Sequence, residues 1–373
     1  MNIYCQSYGL ITPFGNGVNK LWDAIKYSKT IKNTNEYGKL FIRDNKSVTE
    51  VINLLCEDSI RETLRRIDIS EKSIANNKRV GLIVASSLGA VDLGYSSENK
   101  KIDDRLKNYG RINSITANLV AKFKISGYST TVTNTCVSGA SALLIVEQLL
   151  KNDILDQCFI VGFDYISGFI SDGLECLKIL NKGKTMNYFS DNKQGILLGE
   201  GVGTLLIGKN YLPDSNFRIK SSVITNDSYD ILKPCKSGQG LKLAIKKAIK
   251  KSKYKWSDLD IICFCSNGTK IIDEVNDKLL NYIFDCYNVQ AKVTSIKHLI
   301  GHTLGASNII ELIALFLMME NHYVPTITAN ITNTKISKDI YSNKFANSRF
   351  EKAMLFSSGF TGVNCCIVLE GIN

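Results

Sequence analysis

Short apolar runs of strand length recur from one end of the chain to the other, separated by amphipathic stretches of helical period. This alternation restricts the fold more than any single motif does. Residues 79–86, 157–161, 203–207, 259–265 and 353–356 read as buried strands. Residues 51–66, 139–150 and 241–251 read as helices. In the last of these, Leu241, Ala244, Ile245, Ala248 and Ile249 share one face, and Lys242, Lys246, Lys247, Lys250 and Lys251 form a solvated one. Strands alternating with helices predict an α/β protein with covered sheets. The segment 209–217, with Pro213 and Asp214, is the best internal boundary; it divides the chain into halves of 1–210 and 211–373 that both mix strands and helices.

At 373 residues, 44% hydrophobic and 22% charged, the chain is not a mainly disordered one, and it is long enough for a large core. No apolar run reaches the roughly 18 residues of a membrane span; the nearest, 309–319, contains Glu311. The first ten residues hold no basic segment followed by an apolar one, so a cytoplasmic protein without membrane attachment is expected. Lys and Arg number 46 against 35 Asp and Glu, a formal charge of +11 that suits an acidic partner. Nothing resembles a zinc finger or an interleaved aromatic-basic motif, which argues against nucleic acid. The eleven cysteines form no Cys-x-x-Cys pair, and only His298, His302 and His322 exist to join them, so no metal site is expected. Cys263 and Cys265 would share one face of a strand; these and the adjacent Cys365 and Cys366 read as small core residues. His298 and His322 read as structural.

Four stretches have the composition of a reactive site. In Thr131-Val-Thr-Asn-Thr-Cys136-Val-Ser-Gly-Ala, a β-rich run ends at a cysteine and small residues open a helix. A thiol at a helix N-terminus is favoured as thiolate; taken alone, the pattern also fits a buried cysteine in a tight turn. In Lys297-His298-Leu-Ile-Gly301-His302-Thr-Leu-Gly305, His302 stands between glycines five residues after a lysine, and Glu311, further along, is placed to neutralise that lysine. A cysteine with a distant histidine is a candidate nucleophilic pair. The run Gly195-Ile-Leu-Leu-Gly199-Glu200-Gly201-Val-Gly203 lacks the Gly-Lys-Ser/Thr of a phosphate loop and reads as a tight structural turn. In Ser357-Ser358-Gly359-Phe360-Thr361-Gly362, two glycines bracket an aromatic and free backbone N–H groups for an oxyanion hole.

In this order and at these separations, the four stretches resemble the β-ketoacyl-acyl-carrier-protein synthases, the elongating condensing enzymes of the thiolase superfamily. The resemblance begins at Tyr8-Gly-Leu-Ile-Thr-Pro13 and ends at Gly359-Phe360. It implies a thiolase fold, two similar halves in an α/β/α/β/α five-layer arrangement, without a cofactor. It implies that acyl carrier protein delivers an acyl chain to Cys136 and that malonyl carrier protein then condenses with it, losing CO2. Cys136 and Phe360 would supply the oxyanion hole, Phe360 also being the gate. His302 would be the second histidine of a Cys-His-His set, Lys297 its supporting lysine and Glu311 the partner of that lysine. Arg61, Arg65 and Arg66 would lie in the carrier-docking region. Family members are usually homodimers; pairing with a second synthase-like subunit is an alternative.

The first family histidine is absent. In Ser266-Asn267-Gly268-Thr269, Asn267 occupies its place. Asparagine accepts no proton near neutral pH, but its amide donates hydrogen bonds, so condensation and non-elongating acyl transfer both remain open. A structural partner subunit is disfavoured, since Cys136 and His302 are both retained. The family's Arg-Pro-Phe-Asp run appears as Met186-Asn187-Tyr188-Phe189-Ser190-Asp191, its following arginine as Lys193, and an aromatic near the gate as Ser358. These departures point to a specialised fatty-acid, polyketide or polyene pathway.

Overall fold

The computed structural model describes residues 1–31, 34, 37–42, 46–89, 111–183, 185–189, 195–213, 215–325, 327 and 349–372. Ser190, Asp191, Lys193 and Asp214 lie outside these residues. Among the described residues, one sheet holds a two-residue strand and ten longer ones: β1 (Tyr4–Thr12), β2 (Val80–Ala85), β3 (Ser129–Val132), β4 (Gln157–Asp164), β5 (Gly201–Gly208), β6 (Phe217–Asn226), β7 (Ile261–Phe264), β8 (Lys292–Thr294), β9 (Lys352–Ser358) and β10 (Val363–Gly371). The main helices are α1 (Val18–Lys26), α2 (Val48–Arg65), α3 (Ser114–Phe123), α4 (Ser138–Lys151), α5 (Gly168–Cys176), α6 (Gln239–Ser252), α7 (Lys270–Cys286) and α8 (Ser307–Glu320).

Across the sheet the order is β3-β2-β4-β5-β1-β6-β10-β9-β7-β8, with the two-residue strand Gly15–Asn16 folded back on β1. Numbered within each half, the strands run third, second, fourth, fifth and first from either edge to the seam. In both halves the outer three strands are parallel and the inner two antiparallel. The seam itself is narrow: β1 meets β6 only at Tyr4↔Arg218 and Cys5↔Phe217.

The strands read as near-continuous apolar runs because both faces are buried. Side chains alternate between faces with period two. Ile83, Ala85, Cys158 and Ile160 join a central cluster, whereas Leu82, Val84, Phe159 and Val161 face α2 and α3. In the second half, Ile261, Cys263, Ala353 and Leu355 join the same central cluster, and Ile262, Phe264, Met354 and Phe356 face α6 and α7. Helices α1, α4 and α8 fill the centre.

Helix α8 explains why its sequence comes nearest to a membrane span. It is buried from Ser307 to Met319, and a helix packed on all sides needs apolar residues all round. Among the described residues no helix is long and apolar enough to cross a membrane. The adjacent Cys365 and Cys366 point into different clusters. Cys263 lies in β7 and Cys265 just past its end, where its N–H still donates to Phe356 O at 3.1 Å; both are buried, and Lys297 and Glu311 are near both. The lysine-rich face of α6 is solvated, with Lys242 Nζ lying 3.3 Å from the centre of the Tyr282 ring.

His298 is buried, with Nδ1 3.0 Å from Tyr188 Oη, and burial lowers its pKa to about 4. His322 sits in the turn after α8 and is exposed. A histidine held neutral in the fold stabilises it above the unfolded-state pKa, near 6.5, and loses that contribution as pH falls toward the folded value. Urea denaturation is expected to show stability falling between pH 6.5 and 4, by about 3 kcal/mol for a shift of this size. His298→Gln, which cannot take up that proton, should show a visibly shallower decline.

Candidate active site

The cysteine is presented by a strained turn. Strand β3 ends at Val132, Thr135 adopts a left-handed φ of 50°, and Cys136 follows immediately before α4. Ser138 braces the turn: its Oγ accepts from the Asn134 N–H at 2.8 Å and lies 2.7 Å from the Thr135 carbonyl. The histidine comes from the other half. A short helix, Lys297–Ile300, ends at Gly301 with φ 72°; His302 follows, and α8 begins at Ser307.

The glycine run is neither a phosphate loop nor a simple turn. It is a bed on which two site segments lie. The His302 N–H donates to Leu197 O at 2.6 Å and Gly199 N–H to His302 O at 3.0 Å. A Cβ on Gly199 would stand 2.1 Å from Ile300 O, and one on Gly301 would stand 2.3 Å from Leu198 O. Nearby, Gly195 N–H donates to Gly268 O at 3.1 Å, fixing the loop that carries Asn267.

These contacts place His302 Nε2 3.0 Å from Cys136 Sγ. The other ring nitrogen, Nδ1, lies 3.1 Å from Lys297 Nζ and 3.0 Å from Ser307 Oγ. Lys297 Nζ also meets Glu311 Oε1 at 2.9 Å, both side chains being 1% exposed. Burial by itself would lower the lysine's pKa, but Cys265 and Glu311 outweigh it, and Lys297 stays an ammonium. Burial, and then the Lys297 charge, hold His302 well below its usual pKa, so the ring is neutral. An ammonium only donates hydrogen bonds. Nδ1 is therefore the acceptor, and the ring proton sits on Nε2, toward the sulfur.

Burial pushes the Cys136 thiol up to about 12; Cys265 acts in the same direction, while Lys297 and the Phe360 backbone act against it. A helix terminus favours an anion by about 0.3–1 kcal/mol, too little to reverse this. The thiolate expected from the helix position is therefore not the resting form. Alkylation of Cys136 by iodoacetamide, followed by peptide mass spectrometry, should rise about tenfold per pH unit from 6 to 9; a plateau below pH 8 would contradict the raised pKa. The buried ion pair makes a second expectation. Glu311→Leu leaves an unpaired ammonium and should cost about 3–5 kcal/mol in urea denaturation, whereas Glu311→Leu with Lys297→Met should recover most of that loss.

Cys136, His302, Asn267, Ser358 and Phe360 line one cavity of about 240 Å³, walled by Leu174, Leu177, Ile179, Ile196, Ile272 and Leu304. A second cavity, of about 480 Å³, also reaches Cys136 and Phe360 and is bounded by Leu88, Phe169 and Ile170. Asn267 Oδ1 accepts from the Thr269 N–H at 3.1 Å and from its hydroxyl at 2.7 Å. Arg61, Arg65 and Arg66 do not line either cavity. Arg61 is held by Glu57, Asp58 and Glu71 at 3.0, 3.4 and 2.9 Å. Arg66 lies 4.2 Å from the Tyr8 ring centre, and the Tyr8 hydroxyl bonds Glu320 at the far end of α8. Helix α8 is 14 residues long, so that end lies about 20 Å from the site end at 1.5 Å per residue. Lys233 also lines the cavity.

Sequence reasoning missed Ser307 and Asp164. Asp164, at the end of β4, accepts from Ser86 Oγ (2.8 Å), Ser87 N (2.9 Å) and Gly305 N (2.6 Å), tying loops of both halves together. An acid ending an apolar strand run was the available signal. Nothing local distinguished Ser307.

A two-half α/β chain with a buried thiol against a neutral imidazole, at the floor of an apolar cavity, has the features of an acyl-transferring enzyme. The N-terminal domain of β-ketoacyl synthase matches residues 24–211 and its C-terminal domain residues 217–331. The chain belongs to the β-ketoacyl synthase family. It is 20% identical to 3-oxoacyl-(acyl-carrier-protein) synthase 2 of Coxiella burnetii, over 98% of this chain and 97% of that protein. With synthase 1 of Buchnera aphidicola subsp. Schizaphis graminum it shares 24% identity over 99% of both. Its fold matches the ketosynthase ApeO in complex with its chain length factor ApeC from Xenorhabdus doucetiae, with TM-score 0.84, 19% identity, and 100% and 98% of the two chains covered. A type II polyketide acyl carrier protein in complex with its ketosynthase gives TM-score 0.82, with 17% identity, and 100% and 99% covered.

Proposed function

We propose that this protein is a β-ketoacyl synthase that takes an acyl chain from acyl carrier protein onto Cys136 and condenses it with malonyl carrier protein. The carrying observation is the 3.0 Å contact of Cys136 Sγ with His302 Nε2 beside an apolar cavity that Asn267 and Phe360 also line. The repeated strand order supports two similar halves in five layers, with α1, α4 and α8 as the middle one.

In the first half-reaction the Cys136 sulfur attacks the acyl thioester. The thiol proton leaves with the carrier's sulfur, and the Cys136 and Phe360 N–H groups hold the carbonyl oxygen. In the second, the malonyl C–CO2 bond breaks and its electron pair becomes an enolate. His302 Nε2–H and the Asn267 amide donate to the enolate oxygen; a donor aimed at such an oxygen is worth about 3 kcal/mol. The enolate carbon attacks the acyl-cysteine, and the Cys136 sulfur leaves. Lys297, kept charged beside Glu311, holds the histidine proton on Nε2. The mostly aliphatic lining favours an acyl chain, and a specialised fatty-acid, polyketide or polyene pathway is the setting we infer. A homodimer, or a heterodimer with a second ketosynthase-like chain, is the working assembly.

Intact mass after incubation with acyl carrier protein should show one acyl group on the protein, absent in Cys136→Ala. Malonyl carrier protein should then yield a ketoacyl product two carbons longer. Acylation followed only by transfer or hydrolysis would instead make the protein a non-elongating acyltransferase, the alternative that the absent first histidine leaves open.

A further inference from the structure

Thr269 is the N-cap of α7, and threonine at that position ordinarily accepts a hydrogen bond from the first turn of its helix, a bond worth about 1 kcal/mol. Here it makes no such cap. Its hydroxyl instead donates to Asn267 Oδ1 at 2.7 Å, alongside the Thr269 N–H at 3.1 Å. A backbone N–H can only donate, so the atom it meets is the amide oxygen, and the orientation of the Asn267 side chain is fixed. With Oδ1 held by two donors, Nδ2 is the group left for the cavity, which Asn267 and Thr269 line together with Cys136 and His302. Gly268, between them, has φ 84° and leaves no room for a Cβ, which would stand 2.4 Å from Gly195 O.

We propose that Thr269 is a positioning residue: it gives up its helix cap to hold Asn267 as a hydrogen-bond donor toward the enolate oxygen. This rests on the proposed condensation, and it explains how an amide at this place serves as a directed N–H where a freely turning one would present its oxygen half the time. Acylation of Cys136 precedes the enolate and does not depend on it.

The test compares Thr269→Val, Thr269→Ser, Asn267→Ala and the Asn267→Ala/Thr269→Val double variant, in Cys136 acylation and in malonyl-carrier decarboxylation. Asn267→Ala should lose about 100-fold in decarboxylation and Thr269→Val roughly tenfold, in kcat more than in KM. The melting temperature of Thr269→Val should hardly change, since no cap is lost, and Thr269→Ser should restore the rate. In the Asn267→Ala background, Thr269→Val should cost nothing further, because its effect passes through the amide. An equal loss in both backgrounds would overturn the assignment and make Thr269 a substrate contact. If the wild type does not decarboxylate, the proposed function fails separately. The assignment is then decided by the Asn267 side-chain 1H–15N resonances. These should be less ordered in Thr269→Val than in wild type and recover in Thr269→Ser; no difference between the three would overturn it.

Discussion

The buried pair Lys297–Glu311 is the interaction on which the site depends. Two charges taken out of water are tolerated only because each neutralises the other, and the pair sits beneath His302 rather than beside the cavity. The lysine's remaining donors face Nδ1 and Ser307. The ion pair therefore decides where the imidazole keeps its proton, and through it what the sulfur and an incoming carbonyl meet. A neutral partner such as methionine would leave the ring free to change tautomer.

Around this pair, close backbone packing does the rest. The glycine run 195–203 gives up side chains so that the His302 and Asn267 loops can lie on it. Asp164 draws the loop after β2 and the start of α8 together. Such packing places an imidazole and an amide with little freedom, which suits groups that must meet charge as it develops. Cys136, in contrast, is held in surroundings that disfavour its anion, so the groups that stabilise the thiolate act against burial.

Much of the architecture was legible. Every strand and helix read from apolar pattern exists, because both faces of the sheet are covered and the runs are nearly unbroken. Strands β1, β6, β8 and β10 were not read. β1 buries Gln6 and Ser7, whose polar groups are satisfied across the fold by the Asn210 and Thr63 carbonyls, so no alternation marks it. Cys136, Lys297 and His302 stood out in their local patterns, the resemblance added Asn267, and the structure brings the four to one place. Thr269 and Ser307 were not found, because a hydroxyl's partner is a matter of space and not of spacing.

The seam between β1 and β6 is only two residue pairs wide, yet the sulfur and the imbricated imidazole, 166 positions apart in the chain, come from opposite sides of it. Five strands lie on each side of that seam. What neither can do alone is bury α8 against α4, and that burial is the step that brings His302 to Cys136. The meeting of sulfur and imidazole thus rests on helix packing across the centre, and not on the hydrogen-bonded ladder of the sheet.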